Sequence, residues 1–353
     1  MSKKKVMLAM SGGVDSSVAA ALLLESGYEV EGITMCLGDE SVVTQAADSA
    51  AALGIRHHWV DLSEEFDRSV KTYFTEEYRN GRTPNPCVVC NRRIKLGELF
   101  QRAAAIGFDY FATGHYASLR QINNRFVIAR AAYLPKDQSY VLYALGQEVL
   151  SRLLLPLGGL SKEEVRAKGR ALGLAVAEQK ESQDICFIPD GDYRGFLARR
   201  GLLHLPGDFV LRDGTVVGRH RGIAHYTVGQ RKGLGVALGY PVFVTAILPE
   251  TNQVVLGLAE ELLAKEMTVE DCCYQMVEEL SEPRSLLVKI RYKSAAVPGV
   301  VFPLPNRRAK VVFEHSEKAV TPGQSAVFYE GDCVFGGGTI VGSDTTSAAL
   351  DER

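Results

Sequence analysis

Apolar runs of four to eight residues alternate with segments of helical period through residues 1–204. Val6–Met10 predicts a strand and Ser16–Glu25 a helix closed at Gly27. Tyr28–Met35 predicts the next strand and Val43–Leu53 the next helix, closed at Gly54. Asp109–Thr113 predicts a later strand running into Gly114 and His115. Ser161-Lys162-Glu163-Glu164 is a capping box opening a helix that stops at Gly173. Strands separated by helices need crossover connections, so the pattern implies an α/β fold with a parallel sheet.

The period shortens after Leu205-Pro206-Gly207-Asp208. Short strands joined by the turn pairs Asp213-Gly214, Thr251-Asn252 and Gly331-Asp332 take over. Phe209–Leu211 with Thr215–Gly218, and Val242–Leu248 with Val254–Gly257, read as hairpins. A helical stretch near Leu258–Lys265 is expected to join this middle unit to a last all-β unit. Strands there are expected at Ser285–Tyr292, Ala309–Glu314, Ser325–Tyr329 and Cys333–Val341. The tail Ser343–Arg353 has little to bury and is expected to be loose. The chain thus divides into units at 1–204, 205–265 and 266–353.

Composition sharpens this only in places. The 353 residues are 46% hydrophobic and 23% charged, the balance of a protein with a large core. No apolar run approaches the ~20 residues of a membrane span and no signal-peptide pattern opens the chain, so the cytosol is the expected compartment. A net charge of -2 excludes a strongly basic nucleic-acid binder; any RNA contact must come from a local patch. Seven cysteines, an odd number thinly spread, do not read as a disulfide scaffold.

The sharpest motif lies at the first strand-to-helix junction, Ser11-Gly12-Gly13-Val14-Asp15-Ser16-Ser17. Two glycines let backbone approach a phosphate, hydroxyls at both ends can donate to it, and the helix start favours an anion. The Gly-Lys-Ser/Thr of a Walker loop is absent, and with it the lysine that reaches terminal phosphates. That suits binding of a pyrophosphate leaving group during adenylation. The plainer alternative is a glycine turn capped by Asp15 or Ser16.

Cys87-Val88-Val89-Cys90 follows Gly81-Arg82-Thr83-Pro84-Asn85-Pro86. Two prolines and a glycine predict a rigid loop rather than a core helix, with the thiols presented. A zinc half-site would need a second pair, and Cys272-Cys273 has poor ligand spacing. A thioredoxin-like redox pair would open a helix after a first strand, which this pair does not. Cys186, in Lys180-Glu181-Ser182-Gln183-Asp184-Ile185-Cys186-Phe187-Ile188, reads alone as a core thiol.

Taken together, AMSGGVDSS, GRTPNPCVVCNRRIK, ATGHYA, KDQSYVLYAL, ESQDICFI, YTVGQRKGLG, KIRY, TPGQ and VFGGGTI resemble the bacterial tRNA-specific 2-thiouridylases essentially end to end. The resemblance implies an N-terminal PP-loop ATPase domain, a small central domain and a C-terminal β-barrel that helps hold tRNA. It also implies the reaction: ATP adenylates the 2-carbonyl oxygen of the wobble uridine, and a persulfide sulfur replaces that oxygen, releasing AMP. The implied partners are tRNA and a persulfide donor, either a cysteine desulfurase or a sulfur carrier. Magnesium is expected with ATP, and one chain per tRNA is the expected stoichiometry.

Carried over by position, Ala9, Met10, Ser11, Gly12, Gly13, Val14, Asp15 and Ser16 would bind ATP, with Met35 and Gly114. Cys90 matches the nucleophile and Cys186 the persulfide carrier. Asn85, Pro86 and Cys87 would face the target base. Lys136, Asp137, Gln138, His115, Arg291, Tyr292 and Gln324 match tRNA-contacting positions. Arg92, Arg93 and Lys95 are placed to lower the Cys90 pKa, and attack by a second thiol would leave a Cys90–Cys186 disulfide. His115 also reads as a turn histidine, Lys136 and Arg291 as surface charges, and Tyr292 as barrel cover.

Many family members carry aspartate where this chain has Cys87. Either Cys87 is a spare thiol beside a persulfide relay, or Cys87, Cys90 and Cys186 are three ligands of an iron–sulfur cluster with an open iron. The Cys36-Leu37-Gly38-Asp39-Glu40 stretch is also shorter than the acidic insert of many relatives. Competing functions are another adenylating PP-loop ligase, which needs no such cysteines, and a non-catalytic RNA-binding protein, against which the intact loop, Cys90 and Cys186 argue.

Overall fold

The computed structural model describes residues 3–178, 185–202 and 205–345. Strand β1 (Lys5–Ala9) leads through the phosphate loop into helix α1 (Val14–Glu25). Strand β2 (Glu29–Cys36), helix α2 (Ser41–Ala52) and strand β3 (His57–Asp61) follow, and β4 is Tyr110–Thr113. A hairpin, β5 (Ser118–Ile122) and β6 (Arg125–Ala129), precedes the two-residue strand β7 (Leu153–Leu154). The order β3-β2-β1-β4-β7 is parallel throughout, the consequence of the helical crossovers that the sequence pattern required. Val6, Met7 and Leu8 are fully buried, as a strand covered on both faces must be.

The order reverses direction at β1, whose neighbours are β2 on one side and β4 on the other. Connections from β1 and β4 leave on opposite sides at such a point and open a crevice at the strands' carboxyl ends. Both the glycine loop after β1 and Gly114 after β4 sit there.

The second sheet, in the order β10-β11-β8-β9, contains the expected hairpins: β8 (Gly207–Val210) with β9 (Val216–His220), and β10 (Phe243–Leu248) with β11 (Gln253–Gly257). The last unit comprises β12 (Leu263–Tyr274), β13 (Arg284–Lys289), β14 (Val297–Leu304), β15 (Arg308–Lys318), β16 (Ser325–Glu330) and β17 (Cys333–Ser343). Pairing of β12 with both β15 and β17 closes these six strands into a barrel. The β5–β6 hairpin extends this sheet through Ala129 opposite Cys333. The N-terminal part of the chain is thereby stitched to the barrel.

Three local expectations are corrected. Pro86–Val89 is a helix, not a loop, because Pro86 stands in its opening positions, where a missing N–H costs nothing. It continues as a wide π-helix, Cys90–Glu98. The Leu258–Lys265 stretch is helical only as the 3₁₀ turn Glu260–Leu262, since β12 starts at Leu263 and is held between two partner strands. The strand expected to reach Tyr292 ends at Lys289, leaving Arg291 and Tyr292 in the turn that follows. Residues 346–353 of the tail, and Lys180, Glu181, Ser182, Gln183 and Asp184 before Cys186, lie outside the described residues. Among those described, no helix is long and apolar enough to cross a membrane.

The barrel core is built on Phe313, Phe328 and Phe335, each at most 1% exposed. Phe313→Ala is expected to cost about 3–5 kcal/mol of barrel stability, read as a lower denaturant midpoint with an unchanged m-value.

Candidate functional site

The phosphate loop turns at Gly12, where φ is +74°. Gly13 precedes the first turn of α1 without a side-chain cap, so the first amides of the helix keep their capacity to donate. Ser16 Oγ donates to the Gly13 carbonyl at 3.0 Å and accepts from Ser11 N at 3.3 Å, which folds the loop over the helix start. Met10 and Val14 are buried, while Ala9 and Met35 are half-buried near the ends of β1 and β2. Gly114 closes the other side of the crevice: a Cβ there would come within 3.0 Å of Ser16 N. A residue with a side chain would push this turn off the loop.

Asp15 is the charged group of the loop. Its Oδ1 accepts from Tyr116 Oη and from Lys162 Nζ, both at 2.7 Å. Sequence reasoning assigned Lys162 only to a helix cap; nothing in its local pattern marks it as facing a loop 147 residues away. The adjacent His115 is buried and shares a 2.8 Å hydrogen bond with Thr113 through Nδ1. Burial, reinforced by nearby Lys95, holds its pKa well below the ordinary imidazole value, so it is neutral at physiological pH.

The thiols come from two elements. Cys87 and Cys90 lie on consecutive turns of the helical run starting at Pro86; Cys87 is exposed and Cys90 half-buried. Cys186 is exposed, but its neighbour Phe187 is anchored edge-on between Phe66 and Phe74, at ring separations of 5.6 and 5.4 Å. The three thiols act on one another electrostatically. The sequence expectation of a lowered Cys90 pKa is overturned. Burial is the larger effect and pushes Cys90 up to about 11, with Lys95 only partly offsetting it. Cys87 and Cys186 reach the surface, yet enough protein surrounds their sulfurs that lost hydration, the largest effect on each, raises them as well. Arg92 and Arg93 are exposed, and Arg92 acts on Tyr143 and Cys273 instead.

The barrel holds the segment that enters the thiol helix. Gln324 Nε2 donates to the Thr83 and Pro84 carbonyls at 2.9 and 3.3 Å, and Thr83 N donates to the Pro322 carbonyl at 2.9 Å. Arg291 Nη2 donates to Thr321 Oγ1 at 2.8 Å and to the Ala319 carbonyl, bracing the same loop. Tyr292, 39% exposed, stands edge-on to Tyr140 at 5.9 Å and acts electrostatically with Cys87. The Tyr140 hydroxyl in turn donates to the Ser325 carbonyl at 2.8 Å. Pro86 is buried.

The Lys136–Gln138 stretch divides. Lys136 is half-buried at the end of a 3₁₀ turn, and Gln138 Oε1 accepts from Tyr116 N at 2.9 Å. Asp137 is buried, and its carboxylate accepts from Ala131 N at 3.0 Å, Ser139 N at 3.2 Å and Ser139 Oγ at 2.8 Å. Its hydrogen bonds order this turn from within.

Among the described residues, no three His, Cys, Asp or Glu side chains are grouped so as to hold a metal ion. Cys87, Cys90 and Cys186 as placed therefore do not fit a three-ligand cluster site.

Family models match nearly the whole chain: a tRNA methyl transferase HUP domain over residues 4–190, a tRNA methyl transferase PRC-barrel domain over 194–258 and an aminomethyltransferase β-barrel domain over 264–340. The tRNA-specific 2-thiouridylase MnmA of Acetivibrio thermocellus is 46% identical over 358 residues, covering 96% of this chain and 100% of that protein. The protein of the same name from Carboxydothermus hydrogenoformans is 48% identical over 356 residues, covering 96% and 98%. That of Lachnoclostridium phytofermentans is 44% identical over 355 residues, covering 96% and 99%. With its strand-switch crevice and these full-length likenesses, the chain belongs to the tRNA-specific 2-thiouridylase family.

Proposed function

We propose that this protein uses ATP to activate the 2-oxygen of the wobble uridine of tRNA and replaces that oxygen with sulfur carried on Cys186. One observation supports this reading above others. Lys95 acts electrostatically on Cys87, Cys90 and Cys186, and also on His115, which follows Gly114 at the phosphate loop. The nucleotide end and the sulfur end of the site therefore share one cation.

Each end has its chemistry. The loop from Ala9 to Ser16 binds the phosphates of ATP, with Met35 and Gly114 along the crevice. Asp15 is the carboxylate that would hold the magnesium accompanying ATP; one carboxylate with phosphate oxygens and water is an ordinary donor set for that ion. Asn85, Pro86 and Cys87 face the base, and Tyr292 supplies an exposed ring for stacking. His115, Lys136, Asp137, Gln138, Arg291 and Gln324 make up the surrounding tRNA surface, in part by ordering it from beneath.

The sulfur steps balance without a metal. A donor, a cysteine desulfurase or a sulfur carrier, leaves Cys186 as a persulfide. Its terminal sulfur bonds to C2 of the activated base as the C2–oxygen bond breaks and AMP leaves. Cys90 thiolate then attacks the inner Cys186 sulfur, forming a Cys90–Cys186 disulfide and releasing 2-thiouridine as the leaving thiolate. An external dithiol must reduce the disulfide before the next turnover. Cys87 is a spare thiol in this scheme, and the cytoplasm is the compartment that would keep it reduced.

The test is single-turnover thiolation of an unmodified tRNA transcript by metal-stripped, persulfide-loaded protein with ATP. 2-Thiouridine should appear in proportion to persulfide; product only after anaerobic cluster reconstitution would overturn the relay. Cys90→Ser should still release AMP but accumulate a protein–tRNA adduct through Cys186, seen as a shifted gel band that dithiothreitol converts to thiolated tRNA. Cys186→Ser should form neither adduct nor product.

The raised thiol pKa sets a pH dependence. Since Cys90 is protonated far above neutrality, its alkylation by iodoacetamide in the free protein should rise about tenfold per pH unit from pH 7 to 9. Lys95→Met should slow that reaction at every pH in this window. A rate already level at pH 8 would show that the thiolate is stabilised, contrary to its surroundings.

A further inference from the structure

Residues 11–17 contain no lysine, yet the fold brings one to them from far along the chain. Lys162 stands at the first position of the Lys162–Ala171 helix, its side chain 6% exposed, with Nζ 2.7 Å from Asp15 Oδ1. The ammonium also lies over the Tyr116 ring, 5.9 Å from its centre. The Asp15 side chain is 34% exposed, so the carboxylate reaches solvent while the ammonium stays inside.

Two features fix the ammonium there. The Ser161–Glu164 capping box pins the start of the helix, with Ser161 N donating to Glu164 Oε2 at 2.7 Å and Glu164 N to Ser161 Oγ at 3.2 Å. Gly169 lets the same helix lie on the start of α1, since a Cβ there would come within 2.8 Å of Val14 Cγ2. The lysine-bearing helix is thus docked on the first turn of the helix that the phosphate loop opens. A buried lysine loses hydration that one carboxylate repays poorly, so the ion pair alone is a weak reason to keep it. A cation held dry beside a phosphate loop gains most when a polyanion arrives.

We propose that Lys162 is a catalytic residue of the adenylation step, supplying from a distant helix the phosphate-binding cation that the loop lacks. The proposal rests on the thiolation reading above. On ATP binding, the ammonium exchanges Asp15 for oxygens of the β-phosphate. The 2-oxygen of the uridine bonds to the α-phosphorus as the bond from that phosphorus to the bridging oxygen breaks. The electron pair stays on pyrophosphate, the N3 proton of the base passes to solvent, and Lys162 neutralises the charge gathering on the leaving group. Catalysis by such a group requires that it touch the pyrophosphate.

The experiment titrates ATP, inorganic pyrophosphate and adenosine calorimetrically into wild-type, Lys162→Gln and Lys162→Arg proteins, and follows tRNA-dependent AMP formation by rapid quench. Glutamine keeps a donor for Asp15 while removing the charge. Lys162→Gln should bind adenosine as wild type does, lose at least tenfold in affinity for ATP and pyrophosphate, and lower kcat for AMP formation at least a hundredfold at saturating ATP. Lys162→Arg should regain most of the pyrophosphate affinity. Unchanged pyrophosphate binding by Lys162→Gln, or equal losses for adenosine and ATP, would make Lys162 a packing residue and overturn the proposal. If Lys162→Gln does not fold, Lys162→Met, which keeps the length of the side chain and removes the charge, is titrated in its place with the same two outcomes. A displaced charge on a phosphate ligand alters pyrophosphate affinity at constant adenosine affinity, whereas a purely structural pair changes the two together or neither. Wild-type protein that forms no AMP with tRNA would sink the thiolation reading itself; an active wild type with an indifferent Lys162→Gln variant would sink only this inference.

Discussion

The hydrogen bonds between residues 83–84 and the barrel loop 322–324 are the constraint on which the site depends. Thr83 N donates to Pro322 O, and Gln324 donates back to Thr83 O and Pro84 O. The segment they hold has two prolines and so few backbone donors of its own, and it leads directly into the helix carrying Cys87 and Cys90. A proline-rich strand end with unsatisfied carbonyls has no internal means of keeping one direction. Here the barrel satisfies those carbonyls. The position of the thiols therefore follows from closure of a β-barrel more than two hundred residues downstream in the chain.

That dependence explains why the β5–β6 hairpin crosses over to the barrel's sheet. Two contacts far apart, the hairpin on one side and the 322–324 loop on the other, fix the barrel against the crevice. The Tyr140 hydroxyl adds a third, donating to Ser325 O at 2.8 Å from the stretch that also carries Gln138. Cys87 on the thiol helix and the ring of Tyr292 from the barrel side thereby come near enough to act on each other electrostatically.

Charge in this gap is sparse, and burial dominates what there is. Lys95 is near every thiol of the set, yet the thiols remain protonated because protein around them withdraws more stabilisation from a thiolate than one half-buried ammonium restores. A resting site of neutral thiols is chemically quiet. At the nucleotide end, the Lys162–Asp15 pair, its ammonium buried and its carboxylate reaching solvent, is the counterpart.

The sequence by itself determined the parallel sheet and the glycine loop after its first strand, because each is written in local pattern: period, turn residues and contiguous motifs. It misread Pro86 as a breaker, since a proline's effect depends on whether it opens a turn or interrupts one, and only the following winding of Cys90–Glu98 decides that. It missed β12 because charged residues on a strand facing solvent on one side obscure its alternation, and the two partner strands that stabilise it come later in the chain. Tertiary structure alone decided which cation meets which group. Lys162 reaches Asp15, Lys95 reaches the thiols, and Arg92 and Arg93 face away, although sequence proximity favoured them. The physical reason is that electrostatic interaction falls with distance through space and with hydration, and neither quantity is carried by spacing along the chain.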